Sequence, residues 1–380
     1  MDRQEYCSRM TALASRLRNA RMDGIVLSSE YNIDYYAGFR HHAPWSLFAR
    51  PYLLLMNADG RSALVAHSFL ADEIRKTGAV EDLRLYTRSG SAPLALISET
   101  IRDLGLSRGN IGAELGYEQR LGISWEDFSA LRNTVPQTSF IDASELIWRQ
   151  RMFKSPTELA LLRKAAEITE RAFESSFAAA RPGISERELA AIAAQTMIRE
   201  GADRPGFVLI VSGAGNYRRL SGKPSDRKLA IGDMLWIDMG AIYEGYWADF
   251  CRAAVIGKPS PEQLATQDVL LEVNQACIDA IKPGAPISTV AAAAERMFQA
   301  RGFEVNVGEG RIGHGMGLMA TEPPHVALYD ETVMEESLFF TIEPRVIKDY
   351  GVFNCEEGVV VTTAGAELIT TAPRALTVID

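Results

Sequence analysis

Along the first 150 residues, apolar positions recur with two alternating periods. Leu and Met at three- and four-residue spacing predict a helix running to about Arg21. Short apolar runs follow at 24–27, in PYLLLMN, in SALVAH after the Asp59-Gly60 turn, and in NIGAEL near residue 110. They predict strands separated by helical segments, which is an α/β pattern. Further on, Ser155 stands at a cap position with Pro156 at the first helical position and Glu158 three residues on. That capping box opens a long amphipathic helix and puts a domain boundary before it. The expected domains are 1–153 and 154–380.

In the second domain the spacing predicts helices over 157–180, 185–201, 261–282 and 287–301. Arg181-Pro182-Gly183 and Lys282-Pro283-Gly284 each separate a helix from a Ser-initiated amphipathic helix. This self-similarity predicts two related halves around a shared cleft. The β-biased runs FVLIVSG, DMLWIDMGAIY, YWADFCRAAVI, LFFTIEPRVI and VVVTT predict a mixed sheet with helices outside it.

Composition narrows the classes of partner. A length of 380 residues suits two domains, and 47% hydrophobic with 23% charged residues excludes disordered and fibrous chains. Forty basic against forty-nine acidic residues, a net charge of -9, argues against nucleic acid or an anionic membrane as partner. Cys7, Cys251, Cys277 and Cys355 are scattered without a CxxC pair, which fits neither a disulfide framework nor a zinc ribbon. The N-terminus lacks the apolar core of a signal peptide, and no stretch reaches about eighteen apolar residues. A cytoplasmic protein is expected.

Carboxylates within apolar β runs carry the chemistry, because a buried carboxylate has to be paired, hydrogen-bonded or bound to metal. Asp238, Asp249, Glu343 and Glu356 are four such residues, and His314 in GRIGHGMGLM joins them. The spacing of Asp238 and Asp249, with Gly240 and Gly245 between, fits two strands of one hairpin. Two Asp, two Glu and one His suit Mn²⁺, Co²⁺, Fe²⁺ or Zn²⁺, and four carboxylates balance the charge of two divalent ions. Such a pair would activate a water and polarise a carbonyl.

The order Asp, Asp, HGxGL, IEP and Glu-Glu before VxVT resembles the pita-bread metallopeptidases, which include methionine aminopeptidase, proline dipeptidase and aminopeptidase P, with creatinase as a metal-free relative. The segments YNIDYYAGF, FARPY and MFKSPTELALLRKAA are similar to the creatinase and prolidase N-terminal domain and linker. The resemblance covers nearly the whole chain. It implies an α/β N-terminal domain and an α+β pita-bread catalytic domain with pseudo-twofold halves. It also implies a manganese-type dinuclear centre held by Asp238, Asp249, His314, Glu343 and Glu356, with Glu343 also carrying a proton from water to the leaving nitrogen. Counting back from Val359-Val360-Val361-Thr362 favours Glu356 over Glu357. By the same resemblance the protein is a homodimer whose N-terminal domain covers the partner's site, with Arg50 reaching a substrate carboxylate.

Two departures stand out. Ser221 and Thr321 occupy the positions where proline peptidases carry histidines, and neither titrates near neutral pH. His325, immediately after Pro323-Pro324, is the spare imidazole that could take a catalytic role. His41 and His42 precede Pro44-Trp45 in an expected exposed loop. The reading is therefore hydrolysis of a C–N bond in a small molecule or dipeptide, Xaa-Pro-like or a non-peptide amide or amidine. The alternatives are a metal-dependent C–S lyase acting on dimethylsulfoniopropionate and a non-catalytic binding homologue.

Overall fold

In the computed structural model, which describes residues 1–42, 47–303 and 310–380, the chain divides into two units, Met1–Arg151 and Met152–Asp380. Pro44 and Trp45 lie outside the described residues. The first unit runs α1 (Arg3–Asn19), β1 (Gly24–Leu27), α2 (Glu30–Ala37), β2 (Leu53–Asn57), β3 (Ser62–His67), α3 (Ala71–Thr77), β4 (Asp82–Tyr86), α4 (Leu94–Asp103), β5 (Gly109–Ala113), α5 (Trp125–Thr134), β6 (Thr138–Asp142) and α6 (Ser144–Arg151). Its sheet has the order β4-β3-β2-β1-β5-β6, antiparallel at β1–β2 and β2–β3 and parallel elsewhere. The strands β1 and β2 are buried along their whole length, which is why they read as unbroken apolar runs. The segment YNIDYYAGF forms α2, closed by Gly38 in the left-handed conformation.

The second unit continues with α7 (Pro156–Ala179), α8 (Glu186–Arg199), β7 (Arg204–Ser212), β8 (Met234–Tyr243), β9 (Tyr246–Trp247) and β10 (Phe250–Ile256). A second series follows: α9 (Pro261–Ala280), α10 (Ser288–Ala300), β11 (His314–Gly315), β12 (Glu322–His325), β13 (Phe339–Ile342), β14 (Arg345–Lys348), β15 (Gly351–Asn354), β16 (Glu357–Thr362), β17 (Gly365–Leu368) and β18 (Thr377–Ile379). One sheet has the order β18-β10-β8-β7 with β9 on β8, another β12-β11-β13-β16-β17, and β14 pairs with β15. Each sheet thus belongs mainly to one helix-pair-then-strands series.

The helix starts follow the sequence in three places. Ser155, Ser185 and Ser260 each cap a helix in a reciprocal capping box, with Pro at the first turn of α7 and α9. The Ser260 cap is added by the structure, and the expected Ser-initiated start of α10 differs. Ile287 holds the cap position without a side-chain bond, and Ser288 is the first helical residue. Backbone bonds from Ile287 N to Thr332 O and from Ser288 N to Asp330 O satisfy those amides instead.

Strand β8 explains how the sheet presents a site. Leu235, Ile237 and Met239 pack with Phe173, Leu189 and Met197 beneath α7 and α8, while Met234 and Trp236 pack with Val273, Phe340 and Val359 of the second series. Period-two alternation therefore puts Asp238 on the face shared by the two halves.

Candidate metal centre

Strands β8 and β9 are joined by Glu244 and Gly245, with φ of 49° and 76°. Positive φ at both central residues makes a type I′ turn, the connection that matches strand twist. The register it sets continues into β10, with Cys251 opposite Asp238 and Phe250 opposite Met239. Asp249 falls in the gap between β9 and β10, opposite Gly240. A Cβ at Gly240 would lie 1.7 Å from Ala248 O, so only glycine lets the chain come this close as it turns Asp249 inward. Facing residues of an antiparallel pair share a side, so Asp249 lies on the side of Gly240 and therefore of Asp238, diagonal to it, and the two carboxyl groups meet.

The other carboxylates also sit at interruptions. Glu343 follows β13 and precedes β14, and Glu356 lies between β15 and β16. The expectation that all four carboxylates lie inside β runs thus holds for Asp238 alone. A break in the ladder lets a side chain leave strict alternation and point at a common centre.

Asp249, His314 and Glu356 bring ligand atoms within 4.8 Å of one another. His314 Nε2 lies 3.7 Å from Asp249 Oδ2 and 3.8 Å from Glu343 Oε1. Its Nδ1 donates to Gly315 O at 2.9 Å, which leaves Nε2 with the lone pair turned toward the carboxylates. Burial, opposed by the charge of Glu343, lowers the His314 pKa and favours this neutral form.

Burial, with Glu343 as the next cause, pushes Asp238 up to about 7. Burial followed by Asp238 raises Asp249, and burial followed by Asp249 raises Glu356, both well above the usual carboxylate range. Asp238 Oδ1 and Glu356 Oε1 are buried with no hydrogen-bond partner among the described residues. Oxygen atoms left bare in a cluster of like charges, beside an imidazole with its lone pair inward, are what divalent cations require.

Glu357 is separated from this centre. It pairs with Arg252 at 3.0 Å and Arg374 at 3.1 Å and accepts a hydrogen bond from Thr370. Cys355 also points toward Glu357, at 3.5 Å. Cys251 is on the carboxylate side and donates to Asn354 Oδ1 at 2.7 Å, a placement that its scatter in the sequence hid.

The remaining sequence candidates are spread out. Ser221 lines a cavity of about 490 Å³ together with Leu209, Arg218, Trp236, Asp238 and Arg345. Thr321 is half-buried beside Glu322, whose carboxylate is held by Met319 N and the buried Lys154. His325 lies directly across the ladder from His314, and its Nδ1 is 2.7 Å from Arg311 Nη1. Arginine can only donate, so Nδ1 accepts in this contact. Arg50 contacts Ser89 Oγ at 3.3 Å and lies over the Phe69 ring within the first unit.

Sequence reasoning passed over Arg345, which follows Glu343-Pro344 and reads as an ordinary strand residue. Its Nη2 is 2.8 Å from Glu343 Oε2. Arg218 likewise lies in a loop whose sequence carries no motif of its own, and Arg311, although inside GRIGHGMGLM, was passed over beside His314.

Comparison with known proteins agrees with this architecture. Residues 9–153 match the creatinase/prolidase N-terminal domain. An uncharacterised peptidase of Staphylococcus aureus strain MW2 is 26% identical over 364 residues, covering 96% of this chain and 99% of that protein. Dipeptidase PepE of Mycobacterium ulcerans superposes with a TM-score of 0.85 at 27% identity, covering 100% of this chain and 99% of the other. The Xaa-Pro dipeptidase of Bacillus anthracis gives 0.84 at 25% identity over 99% and 100%. Among the described residues no helix is long and apolar enough to cross a membrane. With residues 160–363, more than half of the chain, matching its catalytic domain, the protein belongs to metallopeptidase family M24 and is a metal-dependent hydrolase.

Proposed function

We propose that the protein hydrolyses a C–N bond in a small amide, of Xaa-Pro dipeptide type, with Asp238, Asp249, His314, Glu343 and Glu356 holding two divalent ions. The observation that carries this reading is the convergence of Asp249, His314 and Glu356, with Glu343 beside His314 and bare oxygens on Asp238 and Glu356. The ions, with Mn²⁺ as the favoured metal, supply Lewis acidity and an activated water. Glu343 presents Oε1 beside His314 and has Oε2 fixed by Arg345, so Oε1 is the atom that takes the proton of the attacking water and passes it to the leaving nitrogen. The dipeptidases named above support a dipeptide substrate.

Ser221 and Thr321 replace positioned imidazoles with hydroxyl groups. Loss of such a group costs about 10²–10³-fold in rate. The Mn²⁺-loaded protein is accordingly expected to cleave Ala-Pro about 10²-fold more slowly than a prolidase carrying both histidines. Thr321→His combined with Ser221→His is expected to raise the rate. Efficient cleavage by the wild type would overturn the role given to those positions. No C–N cleavage of dipeptides or creatine, with dimethyl sulfide released from dimethylsulfoniopropionate, would replace hydrolysis by elimination.

The reading includes a homodimer in the cytoplasm, with the N-terminal unit acting as a cap and Arg50 serving the partner's site. Mixing Arg50→Ala with Asp238→Ala chains tests the trans role. Partial recovery of activity supports it, and no recovery after proven subunit exchange removes it.

A further inference from the structure

Glu343 and Glu356 both sit in breaks between strands, so a continuous ladder does not set the directions in which they point. Pro344 has no N–H, which removes a ladder donor immediately after Glu343. Buried side chains bond the peptide carbonyls at these breaks instead. Asn354, the last residue of β15 and 1% exposed, donates from Nδ2 to Glu343 O at 3.2 Å and to Pro344 O at 3.0 Å. Its Oδ1 accepts from Cys251 Sγ at 2.7 Å, and Cys251 is the residue opposite Asp238 on β10. At the second break, Asn274 of α9 donates to Cys355 O at 2.7 Å and Arg252 donates to Glu356 O at 2.7 Å.

A carbonyl can only accept, so the two carbonyls fix which way round the Asn354 amide lies and leave its oxygen for the thiol. Glu343 N in turn donates to Ile312 O at 2.7 Å. With its N–H held by Ile312 and its C=O by Asn354, the peptide planes on both sides of the Glu343 Cα are fixed. The direction of its Cα–Cβ bond is fixed with them. Arg345, which faces Asn354 across β14 and β15, then holds the far end through Oε2. Oε1 is thereby turned toward His314.

We propose that Asn354 is a positioning residue for the hydrolytic centre. Through the Glu343 and Pro344 carbonyls it sets the direction from which Glu343 enters the site, and it acts on metal binding and proton transfer by way of Glu343. The proposal rests on the roles given to Glu343 above, but its deciding measurement is metal affinity and needs no turnover.

The test is calorimetric titration of the full-length chain with Mn²⁺, followed by kcat and KM for Ala-Pro at saturating Mn²⁺. Asn354→Leu keeps the branching of the side chain and removes both donors. It is expected to weaken one of the two ions about 10–100-fold, the usual effect of removing a group that orients a metal ligand. At saturating Mn²⁺ it is expected to lower kcat by about tenfold or more, as misplacement of a reacting group does, while KM stays near the wild-type value. Asn354→Ser keeps one donor and is expected to fall between wild type and Asn354→Leu. In a Glu343→Ala background, Asn354→Leu is expected to cost nothing further in affinity for the ion that remains.

Unchanged Mn²⁺ affinity in Asn354→Leu would overturn the proposal, whatever happens to the melting temperature. So would a further loss of the same size in the Glu343→Ala background, which would take Glu343 out of the path. If Asn354→Leu does not fold, Asn354→Ser decides by the same measurements. Wild type that takes up no Mn²⁺ would remove the metal centre and the role of Asn354 with it. Full uptake without cleavage of Ala-Pro would count against the dipeptide reading alone, with the Mn²⁺ affinities still deciding on Asn354.

Discussion

Glu356 and Glu357 are adjacent, both are almost fully buried, and they occupy opposite chemical worlds. Glu357 is neutralised by Arg252 and Arg374 and bonded to Thr370. Glu356 faces Asp249, Glu343 and Asp238, and one of its oxygens has no partner among the described residues. Burial alone therefore does not mark a functional carboxylate; the absence of compensation does. The region around Glu357 contributes to holding the chain together, whereas the region around Glu356 keeps like charges together at a cost to the folded state.

The largest expected effect lies on the uncompensated side. Wild type should take up about two divalent ions per chain, as a dinuclear centre requires. Asp249→Ala should lose at least one of them and abolish turnover, as read by metal analysis and activity assay. Absence of uptake at millimolar Mn²⁺ with the fold intact would erase the distinction between the two regions.

Truncating each glutamate in turn sharpens it. Glu357→Ala leaves Arg252 buried without its main counter-charge and should destabilise the protein by about 3–5 kcal/mol, the usual consequence of breaking a buried pair. Glu356→Ala removes a repelling charge, so the metal-free protein should melt no lower than wild type while metal uptake falls. Denaturant unfolding of both variants after chelation checks this, and equal losses would refute the contrast.

A smaller effect concerns pH. The Asp238 carboxyl titrates near 3.8 in an ordinary environment and at about 7 in the folded chain, so the folded state holds more protons in between. Stability of the metal-free protein should therefore be highest below about pH 4 with respect to this group and fall as pH rises toward about 7. Bound metal should displace the protons and flatten that fall, as thermal melts with and without Mn²⁺ would show.

The sequence made part of this legible. The eleven-residue spacing of Asp238 and Asp249, with Gly240 and Gly245 between, could be read as a hairpin because the register follows from turn geometry. Ser155 and Ser185 could be read as caps because their hydrogen bonds are local. The strand breaks at Asp249, Glu343 and Glu356 could not, because an interruption depends on what packs across the sheet. Arg345 looked like one more strand residue since its partners come from the assembled cleft. Ser288 resembled Ser185 in sequence, but long-range contacts to Asp330 and Thr332 supplanted the local cap.

Glu186 accepts hydrogen bonds from both Ser212 and Ser225 and so makes the segment between them a closed ring, which has one further footing where Tyr217 is buried in the core and accepts from Met234 N. Lengthening a loop between fixed ends raises its closure entropy only slowly, by about 0.6 kcal/mol per doubling. Residues could therefore be inserted or exchanged near Arg218 and Ser221 while both anchor serines stay in place. In a lineage of related enzymes, this arc would be free to diversify the mouth of the cleft while the catalytic floor is inherited unchanged.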